Sequence, residues 1–330
     1  MKYKSWTRNV EVNARMADEP IDSGPPTPHP VAATFDLLGD RLTLTILRHA
    51  FVNHTRRFNQ WIERTGAPPA VLTARLAALV DAGVFVRTPQ VGASDRFDYL
   101  LTELGRATWE ILVSIWGWQR EWTAEGALHP YLVHDACGHR GPPVLMCRTC
   151  GHTVTPRDTD VELGDDALGR FTSSGRRRAR APVSARSDMQ FDEVMAAIGD
   201  RWSATVTGLA LAGMRRFGDF RTAMNMSPTT LTERLTRLCE AEILYRSGEG
   251  AGREYRLTPR GRALFPIFAF LLAWSAPAHP EAPEPGLRIR HRACGSDLVP
   301  ALRCRGCDAR LERTDVRFEP VSQAVLDRLA

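Results

Sequence analysis

Six of the seven cysteines sit in short clusters with a histidine, at spacings that suit a metal ion. His134-x2-Cys137-x9-Cys147-x2-Cys150 returns with the same intervals as His291, Cys294, Cys304 and Cys307. A Cys-x2-Cys turn offers two thiolates from one knuckle, and three thiolates with one imidazole close a zinc tetrahedron with no open position. His139 and His152 compete for the fourth place, but their counterparts are Ser296 and Ala309, so only His134 and His291 repeat. The spacing therefore predicts about two zinc ions per chain, structural rather than catalytic. One knuckle of each ribbon is His134 with Cys137, the other Cys147 with Cys150, and Pro143 and Leu145 (Pro300 and Leu302) fit a hairpin between them. No apolar segment follows Lys2 and Lys4, so no secretory leader is read, and clustered cysteines then indicate ligands in a reducing compartment rather than disulfides.

The elements that must carry these ribbons also repeat. Gly39-Asp40-Arg41 recurs as Gly199-Asp200-Arg201, and Arg57-Phe58 as Arg216-Phe217. Leu72-Thr73-x-Arg75-Leu76-x-x-Leu79 recurs as Leu231-Thr232-x-Arg234-Leu235-x-x-Leu238. Tyr99-x-Leu101-Thr102-x-x-Gly105-Arg106 recurs as Tyr255-x-Leu257-Thr258-x-x-Gly261-Arg262, and Trp118 as Trp274. One module with its ribbon has been duplicated. The expected organisation is a flexible arm over 1–30, a module over 31–128, a ribbon over 129–162, a basic linker over 163–188, a second module over 189–278, and a ribbon with its tail over 279–330. The arm is read from its prolines and lack of periodicity. Residues 167–187 hold six arginines and no acid, which favours a solvated connector over a phosphate-binding strap.

Within a copy, Asp40 or Asp200 is placed to cap a helix, and Ser227 with Pro228 to start another. The helix that follows has Leu72, Leu76 and Leu79 (Leu231, Leu235 and Leu238) at i, i+4, i+7, a single buried stripe. Two short β-rich segments flank a Gly- and Arg-bearing loop, which predicts a hairpin. Thr102 or Thr258 then caps a last, aromatic helix. The fold class is mainly α with small β-hairpins: two winged helix-turn-helix domains, each followed by a small zinc ribbon.

This order, together with Leu37-Leu38-Gly39-Asp40-Arg41, Arg57-Phe58, Leu72-Thr73-x-Arg75-Leu76 and Asp98-Tyr99-x-Leu101-Thr102-x-x-Gly105 and their second copies, resembles the HxlR family of bacterial transcription regulators, relatives of the MarR group. The resemblance implies that the third helix enters the major groove, that the wing lies along the minor groove or backbone, and that terminal helices form a dimer interface. It assigns DNA contacts to Thr73 and Arg75 in the first copy and to Ser227, Thr229, Thr230, Thr232 and Arg234 in the second, with Arg96 and Arg253 on the wings. Arg75 and Arg234 could equally pair with acids inside the fold. Oxidant-sensing members carry a cysteine before the first helix; His29-Pro30-Val31 and Ser187-Asp188 stand there in this chain, which argues against thiol sensing. Ala70, Val71, Ala74 and Ala77 face Thr229, Thr230, Glu233 and Thr236 across the repeat, so the first copy is expected to read bases more weakly.

The formal charge is +5, and apart from Lys2 and Lys4 every cation is arginine, which suits phosphate and guanine contacts. The longest apolar stretch, Ile267 to Trp274, is too short to span a bilayer. Gly248-Glu-Gly250-Ala-Gly252 lacks the context and ending of a phosphate loop, and no serine sits in a nucleophile elbow, so an enzyme is not expected. The expected function is a cytoplasmic, nucleoid-associated regulator that binds duplex DNA, its two unequal modules acting as a pseudo-dimer on an imperfect inverted repeat. A protein-interaction scaffold built on degenerate winged helices, with Trp109, Trp116, Trp118 and Trp122 gripping a partner, is the rival from another class; a zinc-responsive regulator is the sharper variant. A further homodimer and a small-molecule effector are left open, with no residues assigned to either.

Overall fold

The computed structural model describes residues 29–90, 96–163, 191–281 and 286–322. The basic linker and residues 1–28 of the expected arm lie outside them. His29 is already an N-cap: its Nδ1 accepts from the Val31 amide at 3.2 Å, and α1 (Pro30–Leu38) follows. That helix buries residues on every side because it is packed between other helices, so it carries no amphipathic stripe.

Helix α2 (Arg41–Val52) is capped by Asp40, whose Oδ1 accepts from the Thr43 amide at 2.9 Å. Helices α3 (Phe58–Thr65) and α4 (Pro69–Asp81) follow, and the stripe Leu72, Leu76 and Leu79 is fully buried. Strands β1 (Phe85–Pro89) and β2 (Phe97–Leu101) form the antiparallel wing, Phe85 opposite Leu101. The short α5 (Glu103–Arg106) and the long α6 (Trp109–Trp122) close the module. The second copy repeats each step: α7 (Asp192–Ile198), α8 (Arg201–Leu211), α9 (Phe217–Met224), α10 (Pro228–Glu240), β6 (Leu244–Ser247) with β7 (Glu254–Leu257), then α11 (Pro259–Arg262) and α12 (Phe265–Ala278).

The repeated Thr-x-x-Gly-Arg has a local reason. Thr102 Oγ1 accepts from the Gly105 amide at 3.0 Å, and Thr258 Oγ1 from the Gly261 amide at 2.9 Å. A Cβ on either glycine would lie 2.1 Å from a backbone oxygen, of Val84 or Ile243, so only glycine lets the turn sit on the wing's first strand. Arg106 and Arg262 donate back to Leu101 O and Leu257 O, at 3.0 and 2.8 Å.

The halves pack through an approximate two-fold axis. Trp118 Nε1 donates to Arg260 O, and its counterpart Trp274 Nε1 donates to Leu104 O, both at 3.0 Å. Such reciprocity is the mark of an isologous interface. Helix α1 lies along α12, with Phe35 and Phe268 rings 5.7 Å apart, and Arg41 pairs with Asp192 across the halves. Trp118 of α6 thus serves an intramolecular contact. Among the described residues, Pro259–Ala278 is long and apolar enough to cross a membrane by length and composition alone, and half of its most apolar window is buried inside the fold. At Gly39 an added Cβ would lie 2.4 Å from both Phe35 O and Ile198 O of the other half. Gly39→Ala is therefore expected to lower stability by about 1–3 kcal/mol, the range for forced overpacking, read as a fall in Tm.

The ribbons are exchanged. The expected hairpins within each do not form as ladders; strands pair across copies instead. β3 (Tyr131–His134) pairs with β10 (Val316–Glu319), and β5 (Thr159–Leu163) with β8 (Leu287–His291), both antiparallel. Between them β4 (Val144–Cys147) pairs with β9 (Pro300–Arg303), Leu145 opposite Leu302, its own counterpart in the repeat. The local two-fold passes through that pair.

Candidate nucleic-acid interface and metal centres

Exchange of the strands exchanges the ligands. One quartet is His134, Cys137, Cys304 and Cys307; the other is Cys147, Cys150, His291 and Cys294. All eight expected ligands are brought together, but each quartet takes the His-x2-Cys of one ribbon and the Cys-x2-Cys of the other, which corrects the expected pairing within a ribbon. In each quartet the ligand atoms lie within 4.8 Å of one another. His134 Nδ1 is 3.2 Å from Cys137 Sγ and 3.3 Å from Cys307 Sγ, and Cys137 Sγ is 3.6 Å from Cys304 Sγ. In the other quartet His291 Nδ1 is 3.3 Å from Cys150 Sγ and 3.4 Å from Cys294 Sγ, with Cys147 Sγ 4.0 Å from Cys294 Sγ. A zinc tetrahedron with bonds of ~2.0 Å to nitrogen and ~2.3 Å to sulfur has edges of about 3.5–3.8 Å, so the donor set fits. His139 and His152 belong to neither quartet.

Two thiols are prepared for ligation. Burial pushes the Cys147 thiol up, but hydrogen bonds from the backbone of Cys150 and Thr149 outweigh it and bring the group down to about 6. Burial likewise opposes, and the amides of Gly306 and Cys307 overcome, at Cys304, which lies below the ordinary thiol range. Gly306 N is 3.3 Å from Cys304 Sγ. The turn that presents the thiolates also stabilises their charge.

The second-copy recognition helix, α10, begins with Ser227, whose Oγ accepts from the Thr230 amide at 3.3 Å and lies 2.9 Å from Thr230 Oγ1. Ser227, Thr229 and Thr232 are exposed, Thr230 half-buried, and Glu233 and Arg237 extend the same open face. In α4 the matching positions are Ala70, Thr73, Ala74 and Ala78. Thr73 Oγ1 donates to Pro69 O at 2.8 Å, so even this hydroxyl is engaged with its own helix. Hydroxyls at an open helix N-terminus suit phosphate oxygens and base edges.

Arg75 and Arg234 pair with acids inside the fold. Arg75 Nη2 lies 2.8 Å from Asp40 Oδ2 and Arg234 Nη1 3.1 Å from Asp200 Oδ2, with the arginine side chains only 13% and 17% exposed. Each guanidinium reaches back from the recognition helix to the N-cap of the module's second helix and fixes one against the other. This is the internal pairing that the sequence left open beside a DNA contact. Asp200 also accepts from the Trp202 and Ser203 amides, each at 3.1 Å. Asp200→Ala is expected to cost about 1–2 kcal/mol, chiefly the lost cap. The ion pair is discounted because Asp200 is partly solvated. Thermal unfolding would show a loss of about 2–8 °C, on the scaling of ~2–4 °C per kcal/mol for chains of 150–250 residues.

Arg96 and Arg253 are exposed at the ends of the wings, as expected; Gly92 lies outside the described residues. In the second wing Gly248 turns with φ +78°, and a Cβ there would lie 2.9 Å from Gly252 O. Cations that the motifs marked only as repeats also face outward. Arg56, Arg57, Arg215 and Arg216 are exposed, and the chain there meets the wing at an isolated bridge, with bonds from the Tyr99 and Tyr255 amides to Arg56 O and Arg215 O at 2.9 and 2.7 Å. Their signal in the sequence was the doubled basic pair before Phe58 and Phe217.

A family model, the HxlR-like helix-turn-helix, matches residues 37–127 and again 197–282. Uncharacterized HTH-type transcriptional regulators of Mycobacterium bovis and Mycobacterium tuberculosis are each 36% identical over 145 residues, 44% of this chain and 91% of theirs. Among solved structures, one described as a candidate transcription factor, PA1607, is 32% identical, over 38% of this chain and 89% of that one, with a TM-score of 0.32. Another, from Pseudomonas aeruginosa, is 25% identical over 40% of this chain and 93% of that one, with a TM-score of 0.26. The family is one of helix-turn-helix proteins and not of enzymes, and with both halves matched, the chain belongs to the HxlR-like helix-turn-helix family twice over.

Proposed function

We propose that the chain is a transcriptional regulator that binds duplex DNA as an intramolecular pseudo-dimer. The observation that carries this reading is the reciprocal packing of two modules of the same family, joined by Trp118 to Arg260 and Trp274 to Leu104. Two recognition helices related by an approximate two-fold meet half-sites about one helical turn apart, ~34 Å. The open hydroxyl face of α10 beside the alanine face of α4 supports an operator with one strong and one weak half-site. Ser227, Thr229, Thr230 and Thr232 are the proposed readers, Thr73 a weak one, and Arg96 and Arg253 the wing contacts.

The two quartets hold zinc in this reading, one ion each, as structural staples: a full set of four protein ligands leaves no open coordination position. Division into two modules with a ribbon after each follows the repeat. The protein works in the cytoplasm, at the nucleoid.

The test is sequencing of genomic fragments captured by the purified, zinc-replete chain, with salt titrated through the wash. Enrichment of a few promoters that share an asymmetric inverted repeat is expected. Uniform, salt-labile capture would mean non-specific binding alone. No capture would favour the protein-interaction reading.

A further inference from the structure

One partly open apolar place differs between the halves. Between α1, α8, α12 and the paired strands β5 and β8 lies a cavity of about 90 Å³. Its walls are hydrocarbon apart from His29 and Thr205, and no charged side chain lines it. Thr205 Oγ1 already donates to Arg201 O at 2.6 Å.

By the internal repeat, Gly208, Leu272 and Val161 in these walls correspond to Arg48, Trp116 and Phe318 at the two-fold-related place beside the first module. There the bulk narrows the space. Trp116 packs edge-on against Phe318, centroids 5.4 Å apart, and its Nε1 donates to Pro130 O at 3.1 Å. A cleft of about 60 Å³ remains, with Arg48 in its wall and without the counterparts of the deeper residues.

Three positions have thus lost side-chain volume at one spot, and one of the replacements is a glycine inside a helix. Glycine there costs roughly 1 kcal/mol against alanine. Nothing in the packing demands it: an added Cβ would meet only the Phe268 ring, at 3.6 Å, an ordinary contact. Unfilled apolar space is itself destabilising. Apolar space favours an apolar guest; an enclosed cavity of ~150 Å³ takes benzene.

We propose that this cavity, and not its first-half counterpart, binds a small uncharged molecule, a single aromatic ring or a compact branched hydrocarbon, and that it is an effector site. A charged guest is excluded because nothing in the walls would compensate its desolvation. The walls come from both modules and both ribbons, so a guest that fits one setting of the halves better than another shifts that setting. The shift in turn moves one recognition helix relative to the other. This coupling to DNA rests on the regulator reading above; the binding does not.

The test is a fluorine NMR titration of the full-length, metal-loaded protein with fluorobenzene, without DNA. One saturable site is expected. Gly208→Leu and Leu272→Trp should each remove it, two variants being used so that the test survives misfolding of one, which circular dichroism checks. Trp116→Leu, which opens the first-half counterpart, should add a second site. No saturable binding by the native chain, or undiminished binding by a folded Gly208→Leu chain, would overturn the proposal. Operator binding with and without saturating fluorobenzene then tests the coupling, with a change of at least about threefold expected, ~0.7 kcal/mol on the tenfold-per-1.4 scale. An operator affinity that does not move would overturn the effector role. A chain that binds fluorobenzene but no specific DNA would count against the regulator reading and in favour of the cavity.

Discussion

A chain lacking His134, Cys137, Cys147 and Cys150 is expected to hold no metal, while one lacking His134, Cys137, Cys304 and Cys307 keeps one ion. Both variants lose four ligands, with alanine for each histidine and serine for each cysteine. They differ because the second removes one whole quartet and spares the other, whereas the first takes half of each. Half a quartet offers two ligands, too few for the closed tetrahedron that makes structural zinc tight. Closed sites of this type contribute apparent free energies of ~10–16 kcal/mol at neutral pH, so the half-sites should lose their ions to a mild chelator outright. Elemental analysis of the purified variants gives the count. If the first variant kept one ion and the second none, the ligands would pair within ribbons, and the exchanged strands would be wrong with them.

The second large effect is expected at the start of α10. Thr229→Ala with Thr232→Ala should weaken specific DNA binding by about 10- to 100-fold, on the scale of 1–3 kcal/mol for a disturbed base contact. Both side chains are exposed and neither caps the helix, so the fold should be unchanged. Thr73→Ala in the first copy should change affinity less than about threefold, since its hydroxyl is engaged with Pro69 O and would add at most one modest hydrogen bond. Binding titrations at fixed salt decide this, with Arg253→Ala as the contrasting case. That variant should weaken all sequences alike and reduce the salt slope by about 1, as a lost phosphate contact does. Equal losses from the two threonine substitutions would argue against unequal half-sites.

Much of the module could be read directly because its signals are local. Asp40, Ser227 and Thr102 cap where their types and spacing say they should, and the leucine stripes of α4 and α10 are buried in full. The ribbon exchange could not be read in this way. The ligand spacing is identical in both ribbons, so a quartet within a ribbon and a quartet across ribbons have the same composition, one histidine and three cysteines. Only the long-range pairing of β3 with β10 and β8 with β5 distinguishes them. Arg75 and Arg234 were ambiguous for a similar reason: the partner that claims each lies 35 and 34 residues upstream, and an arginine side chain is long enough to choose between inside and out. Helix α1 gave no periodic signal because it is enclosed rather than half-solvated.

The exchanged ribbons also dictate an order of assembly. Cys137 must find a partner 167 residues downstream, and Cys147 one 147 residues downstream. At a synthesis rate of ~5–20 residues per second, the first ribbon leaves the ribosome on the order of 10 s before its partners exist. The first module folds on local contacts in that interval, but its thiols wait. Two growing chains on one messenger could each supply the other's missing strands, since a neighbour's ribbon offers the same ligands. The stretch between the modules governs that competition by holding the correct partner at high local concentration. If the quartets take zinc as proposed, metal loading is the last step of folding, and it seals whichever pairing of halves was reached first.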